Sequence, residues 1–253
     1  MPQPPAATTS LRSLARQTWL LARNDLRQEM RDFELVATAG FFTLVVLVMF
    51  GLSFSTLGRY AQPMAVPGIL WLAVAFVGSL TLTRIFDRER EADTLRALLA
   101  APVHRLAIYL AKAGVTLAVL LGCCAILVPG LVLMFDAAAP FAERPLATFS
   151  LVFLGCAAYA TIGTLFAAGL STSGGKNVLL SVILYPLTSP ALMFALVSTR
   201  TLLDGHPGFE GYLSQLVALD ILQLVVSAWL FESVLVGTAG GSSRRKRSAG
   251  RRT

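Results

Sequence analysis

Six long apolar stretches constrain this chain more than any other feature of its sequence. They cover residues 35–57, 61–83, 106–135, 146–170, 178–199 and 213–236. Each approaches the roughly 20 residues that an α-helix needs to cross about 30 Å of bilayer hydrocarbon. Transmembrane β-barrels show shorter, alternating segments, whereas a helix satisfies its own backbone hydrogen bonds over one continuous apolar run. The stretches therefore predict an all-α membrane protein with six transmembrane helices.

The composition agrees with this prediction, and the basic residues predict an orientation. Hydrophobic residues make up 55% of the 253-residue chain and charged residues only 14%, so there is more apolar material than a soluble core could bury. With the amino terminus in the cytoplasm, 18 of the 21 Lys and Arg residues fall on the cytoplasmic side, and the exceptions are Arg59, Arg144 and Arg200. This follows the positive-inside rule and places both termini inside. It explains the net charge of +7 without a nucleic-acid partner.

The segments that flank the spans predict two disordered ends and one helix on the membrane surface. Residues 1–10 are Pro-rich and residues 239–253 are polar and basic, which leaves a single transmembrane domain at 11–238. Between residues 11 and 33, apolar side chains recur every three or four positions beside a row of arginines. This pattern predicts an interfacial amphipathic helix, although a soluble partner could cover the apolar face instead. Its interfacial residues are Trp19, Arg23, Arg27 and Arg31.

The longest polar connection between spans, residues 84–105, predicts a short amphipathic helix. Oppositely charged side chains recur three positions apart, Asp93 can cap a helix that begins near Thr94, and Pro102 ends the run. Its apolar patch must pack against the bundle or in a groove of a cytoplasmic partner. A solvated connector is the alternative. The patch consists of Leu95, Leu98 and Leu99.

Other motifs carry little chemistry. The glycines before Lys176 resemble a phosphate-binding loop, but the spacing is wrong and no strand precedes them. Neither His104 nor His206 has the neighbours of a zinc site, so we predict no metal. No nucleophile, base and orienting group converge, so we predict that the chain is not itself an enzyme. The three cysteines fall in apolar spans and indicate packing residues.

Within the spans, four features bear on packing. Pro186 and Pro190 should kink or break the fifth span. In the fourth span, small residues would allow close helix contacts, with lipid-facing filler as the alternative; they are Gly155, Ala160, Gly163 and Ala167. Lys112 lies near the inner end of its span and can extend to the interface. Asp220 would lie at the outer interface if the last span began near Ile221, and within the membrane if that span began earlier.

Five segments in one order carry a resemblance. The connector resembles the cytoplasmic loop of ABC type-2 export permeases, where a coupling helix docks on the ATPase subunit, and the other four segments resemble the haem exporter protein B (CcmB) family of cytochrome c maturation, one group of those permeases. The five segments are LARNDLRQEMR, PGILWLAVAF, RIFDREREADTLRALLAAPVHRLAIYLAK, IGTLFAAGLSTSGGKNVLL and PLTSPALMF, and together they extend over nearly the whole chain. The chain departs from the family pattern at Asp93 and Ala195, where glycine is usual. No single segment is decisive, but the four outside the connector are fairly specific in this order.

The resemblance implies a permease subunit in a bacterial inner membrane, working as a homodimer with a CcmA-like ATPase. It implies three further partners: a haem-handling CcmC-like subunit, a small CcmD-like subunit and a CcmE-like periplasmic haem chaperone. ATP and Mg²⁺ would bind the ATPase, haem would bind the sister subunit and chaperone, and this chain would hold no cofactor. An exporter of lipid, polysaccharide or drug and a non-transporting scaffold are the alternatives. The coupling residues would be Phe86, Asp87, Arg88, Glu89, Glu91, Asp93, Thr94, Leu95, Leu98, Leu99 and Pro102.

Overall fold

The computed structural model describes residues 11–55, 62–91, 103–172 and 177–249, and α-helices make up nearly all of these ranges. A short 3₁₀ turn, Asp136–Ala138, joins the fourth helix to the fifth. The eight described α-helices are α1 (Leu11–Asp32), α2 (Glu34–Ser55), α3 (Gln62–Glu91), α4 (Arg105–Met134), α5 (Ala139–Glu143), α6 (Pro145–Thr172), α7 (Asn177–Leu203) and α8 (Phe209–Ala249).

Five of these helices are long and apolar enough to cross a membrane over their described residues. The candidate spans are Glu34–Phe54, Gln62–Ile85, Arg105–Met134, Pro145–Gly169 and Phe209–Phe231, and each overlaps a predicted span. The helical fold is therefore confirmed for the described part of the chain. The remaining predicted span, 178–199, lies inside α7. Its 27 residues extend about 40 Å at 1.5 Å per residue, and its crossing of the membrane stays a prediction.

The last helix differs from the sequence-based expectation at both ends. Gly208, with φ 145°, forms the turn before it, and Tyr212 donates its backbone N–H to the Gly208 carbonyl at 3.2 Å. The helix therefore begins at Phe209, well before Ile221, and Asp220 lies about three turns inside α8 and within the candidate span Phe209–Phe231. Its depth in a membrane stays a prediction.

The other end of α8 reaches Ala249, whereas the sequence predicts disorder over 239–253. Extending a helix that has already formed orders one residue for each hydrogen bond added, so the helix can continue past the predicted boundary. Residues 1–10, the other predicted disordered segment, lie outside the described ranges, as do residues 250–253.

The prolines of α7 do not break it, because the helix is continuous from Asn177 to Leu203. Pro190 has no N–H to donate to the carbonyl of Pro186, four residues earlier. Ser189 Oγ donates to that carbonyl at 2.8 Å. This hydroxyl therefore replaces the missing backbone donor, as Ser and Thr commonly do in membrane helices. A kink at these prolines stays a prediction.

Two glycines let aromatic rings fill the space between α3 and α6. The Tyr159 ring of α6 lies where a Cβ on Gly78 would be, and the Trp71 ring of α3 lies where a Cβ on Gly155 would be. The Tyr159 hydroxyl donates to the Ala75 carbonyl at 2.9 Å. Close approach of helices at small residues is a recurrent form of membrane packing. The predicted role of Gly155 in close packing is thus confirmed.

Trp71 also connects α7 to this core. Trp71 Nε1 donates to Thr199 Oγ1 at 2.8 Å, and Thr199 in turn donates to the Ala195 carbonyl at 2.7 Å. Both Trp71 and Tyr159 are buried and have their polar atoms satisfied. A shift of α3 relative to α6 or α7 would separate these rings from their glycine gaps or break their hydrogen bonds, so these contacts favour the observed packing.

Candidate functional site

The predicted coupling segment joins α3 to α4, and the structure describes its two ends. The backbone of residues 86–91 forms the last turns of α3, which continues beyond the apolar span ending at Ile85. Phe86, Asp87, Arg88, Glu89 and Glu91 belong to these turns, and their side chains are not described. The rest of the predicted segment lies outside the described residues, namely Asp93, Thr94, Leu95, Leu98, Leu99 and Pro102.

The described end of this segment is attached to α1. Val103 is the first described residue after the segment. The backbone N–H of the next residue, His104, donates to Gln17 Oε1 of α1 at 3.2 Å. His104 is the residue that precedes the first turn of α4. The side chain of Gln17 thus takes one backbone donor at the start of that helix, where helices leave N–H groups without intrahelical partners.

A buried ion pair makes the second attachment between α1 and α4. Lys112 Nζ lies 2.7 Å from Asp25 Oδ2, and the two side chains are 10% and 22% exposed. Lys112 does not extend into open solvent, because its ammonium group pairs with the carboxylate of a residue 87 positions earlier, and its place at a membrane interface stays a prediction. Burying an isolated ammonium group would be costly, and a partner carboxylate offsets that cost.

These two contacts define which face of α1 meets the bundle. Gln17 and Asp25 point to α4, whereas Trp19 is 67% exposed and Met30 is 58% exposed. The interfacial residues Trp19, Arg23, Arg27 and Arg31 are all exposed. The side of α1 that carries the aromatic and basic residues is therefore available to other molecules, and its position at a membrane interface stays a prediction.

The turn between α1 and α2 is tight. Phe33 connects them with φ 52°, a left-handed conformation that is uncommon for a residue with a bulky side chain. Its N–H donates to the Glu29 carbonyl, and its carbonyl accepts from Ala37. Next to this turn, Glu34 of α2 forms an ion pair with Arg84 of α3. The start of the first span is thus tied to the end of the second.

A cavity of about 490 Å³ opens beside the attachment of α1. It lies between α1, the first turn of α4 and the end of the α8 span, and its walls combine apolar side chains with one arginine and one histidine. It is large enough to receive side chains of a docked protein. The lining residues are Leu14, Val103, His104, Arg105, Leu106, Ala228 and Phe231.

The described residues contain no group of three or more His, Cys, Asp and Glu side chains that could hold a metal ion. The sulfurs of Cys124 and Cys156 lie 3.8 Å apart, and all three cysteines are free and buried. His104 and His206 lie on different connections. Among the described residues, the candidate site is therefore the surface formed by α1 and the ends of α3 and α4.

Sequence reasoning missed Gln17, Asp25 and the pairing of Lys112. One signal was present: a lysine within an apolar run needs a carboxylate or an exit to water, and Asp25 is one of few acids near it in the predicted topology. The choice between those two outcomes depended on how α1 packs, which the sequence pattern did not define.

Lys112→Met is expected to lower the free energy of unfolding by about 2–4 kcal/mol, because it leaves the Asp25 carboxylate buried without its partner. The double variant Asp25→Leu with Lys112→Met should recover most of the loss. Thermal unfolding of the purified protein in mild detergent measures both effects. Arg200→Met is the matched control, since the Arg200–Asp204 pair at 3.6 Å is more exposed and should contribute less than about 1 kcal/mol. Equal losses for the two single variants would contradict a special role for the buried pair.

The fold defines a class: a multi-pass α-helical membrane protein in which α1 packs against one end of the helical bundle. Residues 16–236 match the model of the CcmB protein family. The chain is 32% identical to heme exporter protein B of Shigella flexneri over 206 residues, which is 79% of this chain and 89% of that protein. It is 32% identical to heme exporter protein B of Bradyrhizobium diazoefficiens over 221 residues, 81% of this chain and 91% of that protein. The chain belongs to the CcmB family.

Proposed function

We propose that this chain is the membrane subunit of an ABC complex that serves haem handling in cytochrome c maturation. The observation that carries the proposal is the family match over residues 16–236, with relatives named heme exporter protein B. ATP hydrolysis would take place in a CcmA-like partner. The glycines before Lys176 have the wrong spacing for a phosphate-binding loop, and this supports an ATP site on another chain.

The proposed topology has six crossings, with both termini in the cytoplasm of a bacterial cell and the protein in the inner membrane. Five candidate spans are described, and α7 would be the sixth. An even number of crossings returns the chain to the side on which it began, and 18 of 21 basic residues then lie inside. A five-crossing chain would place the basic carboxyl-terminal segment outside, against the positive-inside rule.

The proposed coupling route begins at the segment 87–102 and enters the bundle at two points. One is α3, which leads directly into the segment, and the other is the start of α4, where His104 is bound to Gln17. Because Asp25 and Lys112 join α1 to α4 about two turns further along, a push on the segment would move α1 and α4 together. The cavity lined by Leu14, Arg105 and Phe231 would receive part of the docked ATPase.

The remaining partners follow the family. The complex would contain a second copy of this chain, CcmC-like and CcmD-like membrane subunits and a CcmE-like haem chaperone. Haem would be cargo held by the sister subunit and the chaperone, and hydrolysis would release the loaded chaperone. The exposed Trp19 and the arginines of α1 would lie in the headgroup region of the bilayer.

Deletion of the gene and purification of a tagged chain from native membranes test this function. We expect the deletion to abolish covalently haem-bearing c-type cytochromes, detected by haem staining, while b-type cytochromes remain. The tagged chain should bring down an ATPase subunit, identified by mass spectrometry. A deletion strain with normal c-type cytochromes would contradict the proposal, and expression of the chain from a plasmid controls for effects on neighbouring genes.

A further inference from the structure

The face of α8 that meets the bundle is unusually polar for a membrane span. Leu216, Gln223, Ser227 and Phe231 follow one another at intervals of seven, four and four positions and are all buried, with Gln223 9% exposed. Asp220 lies on the same face, four residues after Leu216 and three before Gln223. The opposite face carries exposed apolar side chains, among them Trp229, which is 75% exposed. Asp220 therefore points into the protein.

Three oxygen acceptors on this face have no donor. Both carboxylate oxygens of Asp220 and Oε1 of Gln223 are buried without a hydrogen-bond partner. Asp220 also lies inside the candidate span Phe209–Phe231, roughly 16 Å along the helix axis from Phe209. An ionised carboxylate at that depth with neither a cation nor a hydrogen-bond donor would be very costly.

The charged residues of the helices packed against α8 do not neutralise the Asp220 carboxylate. Among described side chains, α6 has no charged residue, and α7 contributes Arg200, which pairs with Asp204. The cations of α4 are Lys112, which pairs with Asp25, and Arg105, which lines the cavity beside Phe231 about three turns from Asp220. None of the described cations on these helices therefore forms an ion pair with Asp220.

We propose that Asp220 is a proton-binding site: its carboxyl group is protonated in the packed bundle and donates its O–H to Gln223 Oε1, three residues further along the same helix face. One proton removes the charge and supplies a donor to an acceptor that has none. Side chains three positions apart on a helix are close enough for this bond. A rotated Gln223 amide could donate one hydrogen bond to a carboxylate, but it would leave the negative charge in place.

The infrared spectrum of the purified full chain tests the proposal at neutral pH. A protonated carboxyl group gives a C=O stretching band separate from that of ionised carboxylates. We expect one such band in the wild-type spectrum, its loss in Asp220→Asn, and its displacement in Gln223→Leu, which removes the acceptor of the O–H. Asp204→Asn is the control and should leave the band unchanged, since Asp204 already faces Arg200.

A second measurement keeps the test decisive if a variant does not accumulate. A hydrophobic carbodiimide reacts with protonated carboxyl groups in apolar surroundings, and mass spectrometry of the labelled wild-type protein locates the adduct. We expect the adduct at Asp220 and none at Asp204. An ionised Asp220, with neither the infrared band nor the adduct, would overturn the proposal. Both readouts use the chain alone, so they are independent of its role in haem handling.

Discussion

Leu98→Asp is expected to abolish binding of the ATPase subunit and maturation of c-type cytochromes while leaving insertion of the chain intact. Leu98 lies outside the described residues, and the expectation comes from the helical spacing of the apolar patch between two described helices, α3 and α4. Removing a buried interface leucine costs roughly 1–3 kcal/mol of association, and an unpaired buried charge adds to that loss. Co-purification of the ATPase with the tagged variant measures the effect.

The matched control for this substitution is Ala97→Asp. Residue 97 falls on the opposite side of the predicted helix from Leu95, Leu98 and Leu99, so the same new charge would face water and should leave ATPase binding unchanged. Abundance of each variant in the membrane fraction separates lost binding from lost protein. If Leu98→Asp accumulates normally and retains its ATPase at wild-type stoichiometry, the segment is a connector and the coupling assignment must be abandoned.

Gly155→Ala should lower the free energy of unfolding by about 2–4 kcal/mol, and Gly155→Leu should prevent accumulation of the folded protein. The Trp71 ring occupies the position of the new Cβ. Overpacking of this kind costs about 1–3 kcal/mol. The ring cannot move aside freely, because its Nε1 would lose the hydrogen bond to Thr199, and a buried donor without a partner adds about 1–3 kcal/mol.

Thermal unfolding in mild detergent measures this loss against Gly122→Ala. Gly122 lies in the apolar span of α4, and no atom lies within 4 Å of the place that a Cβ would take there, so alanine should leave stability unchanged or raise it slightly. Trp71→Leu combined with Gly155→Ala should lose less than the sum of the single variants, because the smaller side chain removes the collision. Equal stabilities of the Gly155 and Gly122 variants would show that the helices separate without cost at this contact.

The coupling site was predictable only in part. The charge pattern and the leucine spacing of the segment 87–102 are local properties, and a short helix could be read from them. The attachment of α1 to that region was not predictable, because it depends on Gln17 meeting His104 and Asp25 meeting Lys112. Those pairs are 87 residues apart in the chain, and no periodicity links them.

The depth of Asp220 shows why a helix boundary matters to a functional interpretation. Its neighbours in sequence, with polar residues at 210, 214 and 215, allowed either an interfacial start or an earlier one. The turn at Gly205 and Gly208, both with positive φ, starts the helix at Phe209 and places Asp220 about three turns inside it. Local apolar content alone did not resolve this difference.

By itself, the sequence determined the helical class, the five spans now described and the resemblance to the CcmB family, because the length of an apolar run and the order of short motifs are local properties. Only the tertiary structure decided which face of α1 meets the bundle, which carboxylate neutralises Lys112, and which glycines admit the rings of Trp71 and Tyr159. The physical reason is that burial, ion pairing and close packing are relations between helices. They exist only once residues distant in the chain have been brought into contact.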